Sequence, residues 1–264
     1  MCARFRVGYR FTVFALLTLW CYSVRRLARW RGRRDPEWER RYRADWMRRW
    51  GLHLMRLLRI RVTVHGEVPE TPFLLVSNHL SYLDIPLLAS LRGSLFVSKQ
   101  DVAEWPLIGP VVTAYDTLYV DRENRRCLAD VNSAILERFH AGDAVTIFPE
   151  GTSTSGQTVL PLMPSLLDAA ARESIPVHYA TIAYRTPSGS PPAATHVCWW
   201  GDMDFLPHFA DLLRIPTFDA ILDFGAEPIA GDNRKALARD LHDGMLQQFR
   251  TSDPQTSEKE ATRL

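Results

Sequence analysis

Metal and nucleotide signatures are missing from this chain, and the gaps narrow its chemistry. Four cysteines, Cys2, Cys21, Cys127 and Cys198, stand far apart without a CxxC pair, which predicts neither a disulfide framework nor a zinc-thiolate site. Eight histidines include no HExxH or other ligand spacing, so no metal is expected. No GxGxxG and no Walker A loop occur. GxSxG is absent too; GTSTSG at 151–156 has the wrong spacing for a nucleophile elbow, which disfavours a serine lipase. No internal repeat is visible. Lysine is scarce, with 3 residues beside 29 arginines. Apolar runs are short: Phe11–Val24 has 14 uncharged residues where a bilayer span takes about 20.

What is present is arginine, unevenly spread. Residues 1–64 carry 17 arginines and 4 acids, a net of +13, whereas 65–264 carry 15 basic and 26 acidic residues, a net of −11. The two parts therefore meet different surroundings. Phe11–Val24 is flanked by Arg6 and Arg10 before it and by Arg25, Arg26 and Arg29 after it. With snorkelling side chains it can span, insert shallowly or act as an uncleaved anchor. The excess of arginine after the run favours a cytoplasmic flank. In Glu37–Ile60 the rings of Trp38, Tyr42, Trp46 and Trp50 recur every fourth residue along one helix side, with arginine elsewhere. That pattern predicts a helix lying in the lipid interface; the alternative is the core-facing side of an ordinary packed helix. Membrane lipid, not nucleic acid, is the partner expected for so many arginines beside an apolar run.

From Val62 the pattern becomes β/α. Candidate strands are Phe73–Val76, Leu95–Ser98, Thr117–Val120, Val145–Phe148, Val177–Tyr184, His196–Trp200 and Ala220–Phe224. Candidate helices are Ile85–Leu91, Pro106–Ala114, Arg125–His140, Pro164–Glu173, Phe205–Leu213 and Asn233–Phe249. The alternation predicts an α/β fold, a mostly parallel sheet flanked by helices and preceded by N-terminal membrane-associated helices. The expected division is 1–64 for membrane-anchoring helices, 65–250 for the α/β domain and 251–264 for a polar, flexible tail.

The stretch FLLVSNHLSYLD, Phe73–Asp84, ends a short apolar strand in polar residues and leads into a helix. On an unbroken helix His79 and Asp84 would lie about 140° apart, so a contact between them needs the bend that a strand-to-helix junction supplies. A histidine whose second ring nitrogen is held by a carboxylate is suited to act as a general base. After the apolar strand Val145–Phe148, Glu150, Gly151 and Thr152 stand where open α/β sheets keep their ligands. Gly151 permits close backbone approach, and Thr152 offers donors to phosphate oxygens. Glu150 is expected to accept from an arginine, a ligand hydroxyl or a backbone amide and to shape the loop. Trp199 and Trp200, in WWGDMDF, read as edge-strand and core residues, with the lining of an acyl groove as the other use.

NHLSYLD at 78–84, YVDR at 119–122 and FPEGTS at 148–153, in this order and spacing, resemble the glycerolipid acyltransferases of the lysophosphatidate acyltransferase (1-acylglycerol-3-phosphate O-acyltransferase) superfamily. The resemblance covers roughly residues 50–185. It implies membrane association and direct acyl transfer. His79, oriented by Asp84, takes the proton of a lysolipid hydroxyl that attacks the thioester of acyl-CoA or acyl-carrier protein; Asn78 or a backbone donor stabilises the oxyanion. No cofactor is implied. Glu150, Gly151 and Thr152 are implied in acceptor binding, Arg122 in holding the head group, and Lys99 in a position near the substrate phosphates.

Four residues depart from that pattern: Asp116 stands in place of a glycine, Ser153 of an arginine, Met163 of a basic residue, and Tyr179 of a proline. Two cations are thus missing near the acceptor. The expected product is phosphatidate from 1-acylglycerol-3-phosphate; lyso-ornithine lipid or another lysolipid is the rival acceptor. A catalytically dead, lipid-binding adaptor is the reading from another class, and the intact His79, Asp84 and Glu150 oppose it. The bacterial inner membrane, on its cytoplasmic face, is the expected location.

Overall fold

The computed structural model describes residues 3–32, 34–104, 109–120 and 125–252. One seven-stranded sheet organises them, in the order β1-β7-β6-β2-β5-β3-β4. Its strands are β1 (Ile60–His65), β2 (Leu74–Ser77), β3 (Leu95–Lys99), β4 (Leu118–Val120), β5 (Val145–Ile147), β6 (Val177–Arg185) and β7 (Phe218–Phe224). Every neighbouring pair is parallel except β6 and β7. A parallel sheet is covered on both faces, which is why its inner strands read as unbroken apolar runs. In β2, Leu75 joins one core cluster, while Leu74 and Val76 join the other.

The first cluster is closed by α1 (Ala3–Gly32), α2 (Pro36–Leu58), α3 (Asp84–Leu91) and α8 (Phe205–Arg214). The second lies under α5 (Arg125–His140), α6 (Asp168–Arg172) and α9 (Arg234–Gln248). Two further short helices, α4 (Gly109–Ala114) and α7 (Ala193–His196), lie in connections. The α/β architecture matches the sequence expectation.

Several details differ. β1 is a strand the sequence reading lacks, and it pairs with β7 from Ile60 onward, so the 64/65 division falls inside the sheet. His196–Trp200 is not a strand: Ala193–His196 makes one helical turn, and the indole of Trp199 donates to the carbonyl of Met203. Pro164–Glu173 divides into a 3-10 turn, Pro164–Leu166, and α6. Ser252, placed in the flexible tail, is fully buried; its amide donates to Gly156 O at 2.8 Å.

α2 does not present its aromatic stripe to lipid. It is packed between α1 and α3, so close that a Cβ at Gly51 would overlap the carbonyl of Pro86, and one at Gly93 that of Ala44. Trp38, Tyr42, Trp46 and Trp50 are half-buried, and Trp50 reaches Thr18 of α1. The free apolar face belongs to α1. Leu16, Leu19, Trp20, Leu27 and Trp30 are each at least 60 % exposed, while Arg10, Thr18, Cys21, Arg25 and Ala28 on the opposite side are buried.

Two arginine clusters hold that helix down. Arg10 donates to the carbonyls of Leu58, Leu213, Ile215 and Pro216, the orphan acceptors at the ends of α2 and α8. Arg25 pairs with Glu39 and Asp116, and Arg43 bridges Asp116 at 2.7 Å and Asp143 at 2.6 Å. Asp116, one of the departures noted above, has φ +58°, a conformation that glycine adopts freely and aspartate tolerates. Its carboxylate ties α1 and α2 to the α/β domain.

Candidate active site

β6, β2 and β5 are adjacent and parallel, so their carboxyl ends converge, and the residues that follow them share one edge of the sheet. The chain leaves β2 at Ser77, runs extended through Leu80, turns at Tyr82–Leu83 and starts α3 at Asp84. That bend brings His79 Nδ1 to 2.7 Å from Asp84 Oδ2. The same oxygen accepts from the amides of Leu80 at 2.7 Å and Ser81 at 2.9 Å. Asp84 is wholly buried, and with amide donors already on Oδ2 it acts as the acceptor; His79 Nδ1 therefore carries the proton and leaves Nε2 free to accept. The imidazole stacks on Phe148 with centroids 4.3 Å apart, and its side chain remains 23 % exposed.

Glu150 accepts from two backbone amides, His79 N at 2.9 Å and Leu160 N at 3.0 Å. The carbonyl of His79 in turn accepts from Thr154 N at 2.9 Å. Both backbone polar groups of the histidine are thus held by the loop that follows β5, a physical reason for the two motifs to occur together. Burial pushes the Glu150 carboxyl up to about 7; the two amides oppose the rise, and the charge of Asp84 adds to it. Gly151 has φ +81°, which that turn requires, and Thr152 is exposed beside it.

Asn78 needs correcting. It is fully buried, its Nδ2 donates to Ile182 O at 3.0 Å and its Oδ1 accepts from Ile182 N at 2.7 Å. The side chain continues the ladder between β2 and β6 past the end of β2, with its oxygen and nitrogen both engaged there. Lys99 ends β3, and Arg122 lies outside the described residues. Met163 packs against the second core cluster, and its amide donates to Pro149 O at 2.8 Å, beside the loop that carries Glu150.

An apolar cavity of about 150 Å³ opens beside His79, lined among others by Phe14 and Thr18 of α1, Trp50, Tyr82, Trp199 and Phe209. The Tyr82 hydroxyl lies 3.0 Å from His208 Nδ1 in its wall, and burial holds His208 below the ordinary imidazole value. Trp199 therefore lines a cavity and is not an edge-strand residue. The sequence reading also lacked Tyr184, on β6, whose hydroxyl donates to Asp84 Oδ1 at 2.7 Å. Its signal is hidden in a strand buried on both faces from Ala180 onward. Among the described residues, no three or more His, Cys, Asp or Glu side chains gather as a metal site.

Comparison with known proteins agrees with this geometry. The family model described as Acyltransferase matches residues 59–184. A lyso-ornithine lipid O-acyltransferase from Brucella abortus is 36 % identical over 200 residues, covering 70 % of this chain and 74 % of that protein. A 1-acyl-sn-glycerol-3-phosphate acyltransferase from Neisseria meningitidis is 30 % identical over 141 residues, 53 % of this chain and 55 % of that one. The crystal structure of the 1-acyl-sn-glycerophosphate acyltransferase from Thermotoga maritima superposes with a TM-score of 0.59 at 20 % identity, covering 90 % of this chain and 97 % of that one. With the sequence shared over most of the α/β core and the fold over 90 % of this chain, this chain belongs to the acyltransferase family.

Proposed function

We propose that the protein transfers a fatty acyl group from a thioester, acyl-CoA or acyl-carrier protein, to the hydroxyl of a lysolipid at a membrane surface. The observation that carries this reading is His79, with Nδ1 bound to a buried carboxylate and Nε2 free, beside an apolar cavity. Nε2 takes the proton of the acceptor hydroxyl as its oxygen attacks the thioester carbonyl, and the C–S bond then breaks. The imidazolium returns the proton to the leaving thiolate. Asp84 keeps the ring oriented and balances its transient charge. Backbone donors are left to stabilise the oxyanion, since the amide of Asn78 is bonded to Ile182. Lys99, Arg122, Gly151 and Thr152 stay as candidates for the acceptor head group; Glu150 serves by fixing the backbone of His79.

Lyso-ornithine lipid is the favoured acceptor and lysophosphatidate the second. The Brucella relative matches over a longer stretch and at higher identity than the Neisseria one, and Ser153 and Met163 replace two cations that a phosphate monoester would use. The proposed location is the inner leaflet of a bacterial membrane. α1 is long and apolar enough to cross a bilayer, yet its buried side is docked to the α/β domain from Arg10 to Gly32. It therefore lies along the interface with its outer face in lipid.

The test supplies purified protein in vesicles with labelled acyl-CoA or acyl-carrier protein and each lysolipid in turn, beside His79→Ala. Acylated lyso-ornithine lipid, with a silent mutant, supports the reading. Phosphatidate alone moves the acceptor assignment to the second candidate. Lipid binding without turnover from either donor overturns the enzyme reading.

A further inference from the structure

We propose that Tyr184 is a positioning residue of the reaction: its hydroxyl locks the plane of the Asp84 carboxylate and thereby aims His79 at the acceptor hydroxyl. The inference rests on His79 being the base. Asp84 Oδ2 takes three donors from its own loop, His79 Nδ1, Leu80 N and Ser81 N, whereas Oδ1 accepts from Tyr184, 100 residues away on β6. Three bonds to one oxygen leave the carboxylate free to pivot about it; a bond on the other oxygen stops the pivot.

The tyrosine is itself rigid. It is fully buried, its amide donates to Ser252 Oγ at 3.1 Å, and its ring meets Phe218 edge-on with centroids 6.1 Å apart. Burial and the neighbouring Asp84 charge keep its phenol protonated, so it donates throughout the working range. Loss of the hydroxyl leaves Oδ1 in a dry site without that donor, which strengthens the pair's hold on the shared proton. Other titratable groups close to the pair are Glu150 after β5, Tyr82 before α3 and Cys198 after α7; burial pushes all three upward and keeps the phenol and thiol neutral. Glu150 alone among these three titrates near neutrality, so it is replaced by Gln in one arm of the pH series.

The experiment compares wild type and Tyr184→Phe. The expected result is a kcat about tenfold lower with both KM values changed less than about twofold. The acid-side midpoint of kcat/KM should move to higher pH by about half a unit or more, with Glu150→Gln present or absent. In an Asp84→Asn background, Tyr184→Phe should add nothing. Replacing Tyr184 by 3-fluorotyrosine, of nearly the same shape but a stronger donor, should move the midpoint the other way and covers the case of an unfolded Phe variant. A midpoint that stays in place in both variants, or an equal loss of kcat in the Asp84→Asn background, overturns the proposal. The pH dependence of diethyl pyrocarbonate modification at His79, read by mass spectrometry of its peptide, reports the same midpoint without turnover. If His79→Ala retains activity the base assignment fails, while that modification curve still decides the Tyr184 contact.

Discussion

Two regions of this protein bury charge, and they do it in opposite ways. At the carboxyl edge of the sheet, Asp84 receives four hydrogen bonds and faces a partly exposed imidazole. Beneath α1, by contrast, Arg25 is fully buried, with Nε and one terminal nitrogen lacking a hydrogen-bond partner, and it shares Glu39 and Asp116 with Arg43. The first arrangement over-determines one carboxylate, as the proposed role of His79 as base requires. The second cross-links helices through shared charges, and its incomplete satisfaction costs stability while tying α1 to the domain.

The comparison can be broken most directly at the site. His79→Ala should lower turnover about 10²–10⁴-fold and leave the melting temperature nearly unchanged, checked by steady-state assay beside thermal unfolding. At the clamp the effects should reverse. Arg43→Ala leaves Asp143 and Asp116 without their close partner and should cost about 3–5 kcal/mol in urea unfolding. A change below about 1 kcal/mol would show that the network is ornamental.

A pH series sharpens the contrast. Folded Glu150 keeps its proton up to about 7, whereas an unfolded glutamate releases it near about 4.3. Its contribution to stability is therefore complete below about pH 4 and lost as pH rises through about 7. Between pH 5 and 8 wild type should lose about 1–3 kcal/mol that Glu150→Gln does not lose, although the variant starts lower for want of one acceptor. Equal slopes would place Glu150 outside this linkage. The smallest effect is expected on the outer face of α1: Leu27→Glu should weaken sedimentation with anionic vesicles about tenfold while activity toward detergent-dispersed substrate persists. Unchanged binding would place the lipid contact elsewhere.

How much of this was legible depends on what each residue's signal shares with its neighbours. The strand-to-helix bend at Phe73–Asp84 could be read because apolar run, polar break and helix start follow one another within twelve residues. β1 could not, since its alternation begins straight after the helical stripe of α2, and only the left-handed Arg59 separates them. Asn78 resembles a site residue by position, yet its amide matches the spacing of the backbone ladder and is taken up there. Tyr184 is invisible by periodicity because every residue from Ala180 to Tyr184 is buried, and burial alone does not mark a hydroxyl bonded to Asp84. For Glu150 the sequence leaves an arginine, a ligand hydroxyl and a backbone amide all open, and that one partner is the amide of His79 is visible only in the fold.

The docked helix also dictates how substitutions accumulate. Around α1, Arg10 and Arg25 answer to fixed acceptors in the domain, Phe14 and Thr18 to the shape of a cavity, and Leu16, Leu19 and Leu27 to nothing more specific than an apolar surrounding. Evolutionary drift along this segment should therefore follow the angle around the helix axis, with two restrained sectors and one that exchanges any apolar residue for another. Read linearly, such a segment passes for a featureless hydrophobic stretch; read by angle, it separates anchorage, cavity wall and exposed apolar face within thirty residues.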